Sequence, residues 1–281
     1  GIHSTGYTNK NIMIVTTLET SINDRKLNVN DFFNANSFCS VVTTEVKKEA
    51  HILAISLNKF YSCPIVFFCD KETMLYFASF RIENLVLIVV DFKKPDKVVE
   101  LNDYHKTDAI CRKMDVMEFA IKRYGNTVFL DCDIVLLSPL IGPRFCDVAL
   151  SLNLSVNSNC AHEYVKRDGM FNAGMVWSSS VDFVRWWRDR YILGESLFYE
   201  QECLNRVYKT NHSIDYFDNS HNHGFWRGCN IDNKNLLSIH CHLDIAFLKR
   251  IKDKWMIDRL SEFRQASLNY IKKYHQSLYL E

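Results

Sequence analysis

Asp131-Cys132-Asp133 closes one apolar run, Val128-Phe129-Leu130, and opens another, Ile134-Val135-Leu136-Leu137. On an extended chain, residues two apart point to the same side. Asp131 and Asp133 can therefore aim two carboxylates at one point. Hard oxygen donors at this spacing suit Mn²⁺ or Mg²⁺, and such a cation also accepts diphosphate oxygens. Acids set between apolar runs are costly to bury uncompensated. A cation is one compensation, and a strand end open to water is the other. His240 and His242 repeat the two-residue period within Leu236–Leu243, a run that reads as a late strand with both rings on one face. His221 and His223, around Asn222 and before Gly224, form a second group, an acceptor-side loop or a zinc site.

Two further segments carry side chains suited to a sugar or its phosphate. In Phe171-Asn172-Ala173-Gly174-Met175 the small Ala173 and Gly174 permit close approach of backbone to substrate, and Asn172 offers both a donor and an acceptor. The plain alternative is a turn into a strand. Glu200 and Gln201 precede Leu204 by four and three residues, near the buried face of a short helix, where Glu200 could equally serve as a capping carboxylate. Lys113 lies at the edge of a helical apolar stripe, and its stem could simply pass along the core.

The elements that must position these residues alternate between strand and helix. Ile110, Met114, Met117, Ile121 and Tyr124 recur at helical steps, so residues 106–124 form a helix that Gly125 closes. Strands are expected at 12–15, 64–68, 85–90, 127–130, 148–152 and 175–177, and helices at 44–59, 181–191, 200–208 and 245–274. This order predicts an α/β fold with a mixed, mainly parallel sheet flanked by helices. Ligands of such sheets sit at the carboxyl ends of strands, where Asp70 and Asp131 both fall. Thr16 follows the first strand, at its carboxyl end.

The 281 residues carry a formal net charge of +1, which excludes a broad nucleic-acid footprint. Ten cysteines include no CxxC pair, which argues against a zinc module or thioredoxin-type site. Their apolar surroundings lean towards a reducing, cytoplasmic compartment, while the sequons at Asn153 and Asn211 leave a secretory-pathway lumen open. No apolar run reaches the length of a membrane span. Residues 1–10 read as a flexible or residual N-terminus.

Thr127-Val128-Phe129-Leu130-Asp131-Cys132-Asp133-Ile134 resembles the strand and DxD motif of GT-A-fold glycosyltransferases. Phe171-Asn172-Ala173-Gly174 resembles the FNAG motif of their glycogenin-like branch, family eight. Glu200-Gln201-Glu202-Cys203-Leu204-Asn205 resembles the DQDxLN motif of the same group, with Glu in place of both Asp residues. The resemblance spans residues 11–243. It implies one GT-A (Rossmann-like) domain, with a donor half at 11–140, an acceptor half at 141–243 and a helical segment at 244–281. It implies a metal, Mn²⁺ or Mg²⁺, on Asp131, Asp133 and a late histidine, His240 or alternatively His242. It assigns Gln201, Glu200 and Asn172 to catalysis, and Lys113, Thr16, Ala173 and Gly174, beside the two aspartates, to the donor. The implied reaction moves sugar from a nucleotide-diphosphate sugar, UDP-sugar favoured, to a hydroxyl acceptor with retention, by front-face attack or double displacement. The glycine and Lys-Pro-Trp that follow the histidine in that branch are absent. Two other readings stand beside it. A nucleotidyltransferase needs a Gly-rich loop after the first strand, where this chain has Thr16-Thr17-Leu18-Glu19-Thr20. A catalytically inactive nucleotide-sugar-binding protein could share the fold.

Overall fold

The computed structural model describes residues 13–16, 35–92, 108–142, 146–153 and 169–276; of 13–16, and of Asp108, only the backbone is described. Its centre is a sheet of eight strands: β1 (Met13–Thr16), β2 (Phe38–Val42), β3 (Ile65–Cys69), β4 (Leu85–Val89), β5 (Thr127–Leu130), β7 (Val148–Leu152), β8 (Phe171–Ser178) and β9 (Ile214–Phe217). Their order is β1-β4-β3-β2-β5-β8-β7-β9. Parallel pairs join β4 to β3, β3 to β2, β2 to β5 and β7 to β9. Antiparallel pairs attach β1 to β4 and carry β8 between β5 and β7. A separate antiparallel ribbon pairs β6 (Ile134–Leu136) with β10 (Ser238–His240).

The central strands β2, β3, β4 and β5 are almost wholly apolar because both faces are covered. Phe38, Val42, Ile65, Phe67, Val128 and Leu130 pack beneath α1 (Lys47–Phe60) and α2 (Lys71–Ala78). Their neighbours in the alternation, Cys39, Val66, Phe68 and Phe129, pack beneath α3 (Asp108–Tyr124) and α4 (Val181–Ile192). Met114, Met117 and Ile121 supply the α3 stripe that the helical period marks. A third core joins the β6–β10 ribbon to α6 (Lys254–Tyr274) through Val135, Ile239, Phe263, Tyr270 and Ile271. The short α5 (Ile245–Leu248) precedes α6, so the expected helix at 245–274 is broken at 249–253.

Three features of these elements bear on the site. The strand beside β5 is β2, and β1 lies at the sheet edge beyond β4, β3 and β2. The Phe171–Met175 segment is no turn: it is the start of β8, buried along all eight residues. The expected helix at 200–208 is a 3-10 helix, Glu202–Lys209, that buries Cys203, Leu204 and Val207.

Candidate metal centre

Asp131 emerges from β5, and its N–H donates to the Gly174 carbonyl of β8 at 2.8 Å. The chain then turns so tightly that Ile134 N–H returns to the Asp131 carbonyl at 3.1 Å. Cys241 N–H holds the Asp133 carbonyl at 2.8 Å, which ties the turn to the chain leaving β10. His240 pairs with Ile134 across the ribbon. The two aspartates and His240 are therefore brought together by two β pairings, one on each side of the turn.

His240 Nε2 lies 3.0 Å from Asp133 Oδ1 and 3.7 Å from Asp131 Oδ2. One donor atom from each of these residues falls within 4.8 Å of the others, which defines an Asp-Asp-His cluster among the described residues. Carboxylate oxygens and an imidazole nitrogen at such separations fit a divalent cation. His242 reaches only the outer oxygen of Asp133, with Nε2 3.4 Å from Oδ2, and its Nδ1 lies 3.1 Å from both oxygens of Glu49. Burial and these bonds act oppositely on His242; Asp133 and Glu49 prevail and push its pKa up to about 9. Burial also works against the Asp133 carboxylate, but His240 and His242 hold it well below the ordinary range.

Lys113 projects from α3 into the same centre. Its ammonium lies 3.1 Å from Asp131 Oδ1, 3.1 Å from the Ala173 carbonyl, and bonds Glu200 Oε1. Three acceptors use its three donors. Burial alone would depress its pKa, yet Asp131 and Glu200 raise it, so the ammonium stays charged. Glu200 is held from behind by Trp187, whose Nε1–H donates to the Glu200 carbonyl at 2.8 Å. Gln201 Oε1 accepts from Ala173 N–H at 3.1 Å. Asn172 Oδ1 accepts from Gly174 N–H at 2.9 Å. Gly174 is demanded by space: a Cβ there would stand 2.5 Å from His240 Cε1 and 2.7 Å from Asp131 Oδ2.

Of the residues picked out in the sequence, Asp131, Asp133, His240, Lys113, Asn172, Ala173, Gly174, Glu200 and Gln201 gather here. Thr16 does not. It pairs with Val86 near the start of β4, while Val89 and the site-side cleft lie at the other end of that strand. Because β1 runs antiparallel to β4, its carboxyl end points away from the site; the Thr16 side chain lies outside the described residues. The cleft at the carboxyl ends of β3 and β4 is lined instead by Thr43, Asp70, Lys71, Val90, Asp91 and Phe92. Asp70 is there for structure: it accepts from Thr44 N–H at 2.7 Å and caps α2 through Thr73 N–H at 2.7 Å. His221 and His223 are buried framework residues. His221 Nε2 accepts from Ile141 N–H at 3.0 Å, and His223 Nε2 lies 3.2 Å from the Gly228 carbonyl.

Two contributors escaped the sequence reading. Glu49 is a buried acid on the apolar face of α1, in line with Leu53 and Leu57, and that misplaced charge was its one visible signal. Asn222 is fully buried between Asn172 and His240, and nothing in its sequence neighbourhood pointed to either partner.

No protein-family model matches the chain, and no curated protein matches it by sequence. Solved structures do. The glycosyltransferase GlyE of Streptococcus pneumoniae TIGR4 superposes with a TM-score of 0.50 at 11% identity, over 87% of this chain and 65% of GlyE. The WbbM bifunctional glycosyltransferase gives 0.44 at 13% identity, over 82% of this chain and 52% of its own. A glycosyltransferase involved in glycosylation of the major capsid of PBCV-1 gives 0.44 at 9% identity, over 84% of this chain and 100% of its own. The chain thus spans about half the length of WbbM and 65% of GlyE. The likeness to GlyE is one of fold: a single α/β domain with a mixed, mainly parallel sheet flanked by helices.

Proposed function

We propose that the chain is a metal-dependent glycosyltransferase of GT-A type, which moves a sugar from a nucleotide-diphosphate donor, UDP-sugar favoured, to a hydroxyl acceptor. The observation that carries this reading is the convergence of Asp131, Asp133 and His240 at the carboxyl end of β5. Those three residues would hold Mn²⁺ or Mg²⁺, with His242 supporting Asp133 from outside. A bound divalent cation supplies charge neutralisation for the departing diphosphate. In the overall exchange, the bond from the anomeric carbon to the diphosphate oxygen breaks, a bond to the acceptor oxygen forms, and the hydroxyl proton is released.

The remaining residues take roles that follow from their contacts. The Asp131 carboxylate is the more open of the pair, its side chain 33% exposed against 12% for Asp133, so the donor approaches from its side. Lys113 holds Asp131 and Glu200 in place, and contact with the donor requires it to give up one of its three acceptors. Gly174 and Ala173 keep the floor of the site low beneath the sugar. Asn172 has its carbonyl oxygen engaged and offers its amide N–H groups to sugar hydroxyls. Glu200 and Gln201 line the acceptor side of the anomeric carbon, where oxygen atoms stabilise an oxocarbenium-like sugar by the logic of glycoside cleavage. Retention follows from the glycogenin-like resemblance.

Calorimetric titration of Mn²⁺ and UDP into the wild type and Asp133→Ala tests the core of this reading. We expect metal-dependent UDP binding in the wild type and its loss in the variant. Equal affinity in the two proteins would sink the metal assignment. A donor-hydrolysis screen across UDP-, GDP- and ADP-sugars then identifies the nucleotide; release of pyrophosphate from a nucleoside triphosphate would instead favour a nucleotidyltransferase.

A further inference from the structure

We infer that Asn222 is the positioning residue of this centre: it fixes His240 in the one tautomer that presents a nitrogen lone pair to the two aspartates. The inference rests on the metal-dependent reading above and deepens it. It follows from one bond of unambiguous direction. Gly174 N–H is a backbone donor, so the Asn172 atom 2.9 Å away is the side-chain oxygen. The Asn222 atom that approaches this same oxygen at 2.9 Å must then be the amide nitrogen. That nitrogen also donates to Ser151 Oγ at 3.0 Å, which uses both of its N–H groups. The Asn222 oxygen is left facing His240 Nδ1 at 2.8 Å and can only accept. Nδ1 therefore carries a proton, and Nε2, 3.0 Å from Asp133 Oδ1, is the ring nitrogen left to a cation.

Without this partner the preference reverses. Nε2–H would then donate to Asp133, and the lone pair would turn away from the carboxylates. An outer partner that fixes the ring in this way contributes about 10–100-fold to metal affinity.

The backbone at 222 is shaped for the task. Asn222 has φ +51°, the left-handed region that asparagine tolerates better than most residues. Its N–H donates to Ser238 Oγ at 2.7 Å, and the neighbouring His223 carbonyl accepts from His240 N–H at 3.0 Å. The loop is thus stitched along β10 beside the ring it orients. Through Asn172 the same side chain reaches the residue that offers amide groups to the sugar.

The test is calorimetry with Mn²⁺ alone on the wild type, Asn222→Ala and Asn222→Asp, with a thermal melt of each. Asn222→Ala is expected to bind Mn²⁺ about 10–100-fold more weakly. Asn222→Asp keeps an acceptor for Nδ1–H but sets an oxygen against Asn172 Oδ1. It is expected to melt lower than the wild type yet bind Mn²⁺ within about threefold of it, since a carboxylate is a common outer partner of a ligating histidine. A merely structural Asn222 would show the opposite link, with affinity falling along with stability. The inference is overturned if Asn222→Ala binds as tightly as the wild type, or if Asn222→Asp binds as weakly as Asn222→Ala. A wild type that binds no Mn²⁺ overturns the metal reading itself, and this inference with it.

Discussion

A methyl group at position 174 would stand 2.5 Å from His240 Cε1, closer than Cβ atoms approach other heavy atoms, and 2.7 Å from Asp131 Oδ2. Neither neighbour can yield easily, because Asn222 holds the ring and Lys113 holds the carboxylate. Gly174→Ala should therefore cost about 1–3 kcal/mol of stability, as overpacking does. It should also weaken Mn²⁺ binding by at least about tenfold, on the scale of a disturbed outer shell. Denaturant unfolding with calorimetry checks both; a variant that binds Mn²⁺ like the wild type would show that the centre is looser than its packing indicates. At this scale the sequence was most readable where spacing alone does the work. Asp131 and Asp133 lie two apart, and the period of two also drew attention to His240. It could not separate His240 from His242, since both reach Asp133 and only partners distant in sequence, Asn222 and Glu49, distinguish them. Those partners lie 18 and 193 positions away, where no local pattern reports them.

The elements that place Lys113 and Glu200 are α3 and α4, and a charged lattice joins their outer faces. Arg188 bonds Asp115 at 2.6 Å and Glu118 at 2.9 Å, while Arg185 and Lys122 also bond Glu118, at 2.8 and 2.6 Å. Burial would raise the Glu118 carboxyl, but Arg185, Lys122 and Arg188 outweigh it and hold it down at about 2. A depressed acid contributes stability that is fully present above its unfolded value and lost as pH falls through the folded one. The contribution is thus intact at neutral pH and fades from about 4.5 down to about 2. Glu118→Gln should melt lower than the wild type at pH 7, and the gap should narrow by pH 3; a constant gap would mean that the lattice does not hold α3 to α4. The long, strongly periodic α3 was legible in full, as were β3, β4 and β5, whose apolar runs are covered on both faces. β2 was not. Phe38-Cys39-Ser40-Val41-Val42 is interrupted by Ser40, whose hydroxyl is buried only because it donates to the Leu130 carbonyl at 2.6 Å. The expected first strand at 12–15 was found, as β1, but its pairing with β4 sets it at the sheet edge, with the Thr16 backbone opposite Val86. Pairing order is a tertiary fact, and an apolar run states only that a strand is buried.

Seen whole, the molecule has two cores on the faces of the main sheet and a third between the β6–β10 ribbon and α6. The candidate centre lies where the ribbon meets the sheet. Asp131 follows β5 of the sheet, Asp133 precedes the ribbon strand β6, and His240 ends its partner β10. Behind Asp133, His242 and Glu49 link the chain after the ribbon to α1. A cation bound by all three ligands would tie these parts together where two acids otherwise face each other. Ligand bound only to the native state stabilises it by mass action, about 2.7 kcal/mol at a hundredfold excess over Kd. Mn²⁺ should accordingly raise the melting temperature by a few degrees, EDTA should reverse the shift, and Asp133→Ala should abolish it. The location of the effect is the sharper test. Amide exchange should slow mainly in β6, β10 and the Asp131–Asp133 turn, while β3 and β4, packed in the sheet away from the centre, should change little. Slowing spread evenly over the sheet would mean that the cation acts on global stability without joining ribbon to sheet, and no slowing in the ribbon would remove His240 from the ligand set.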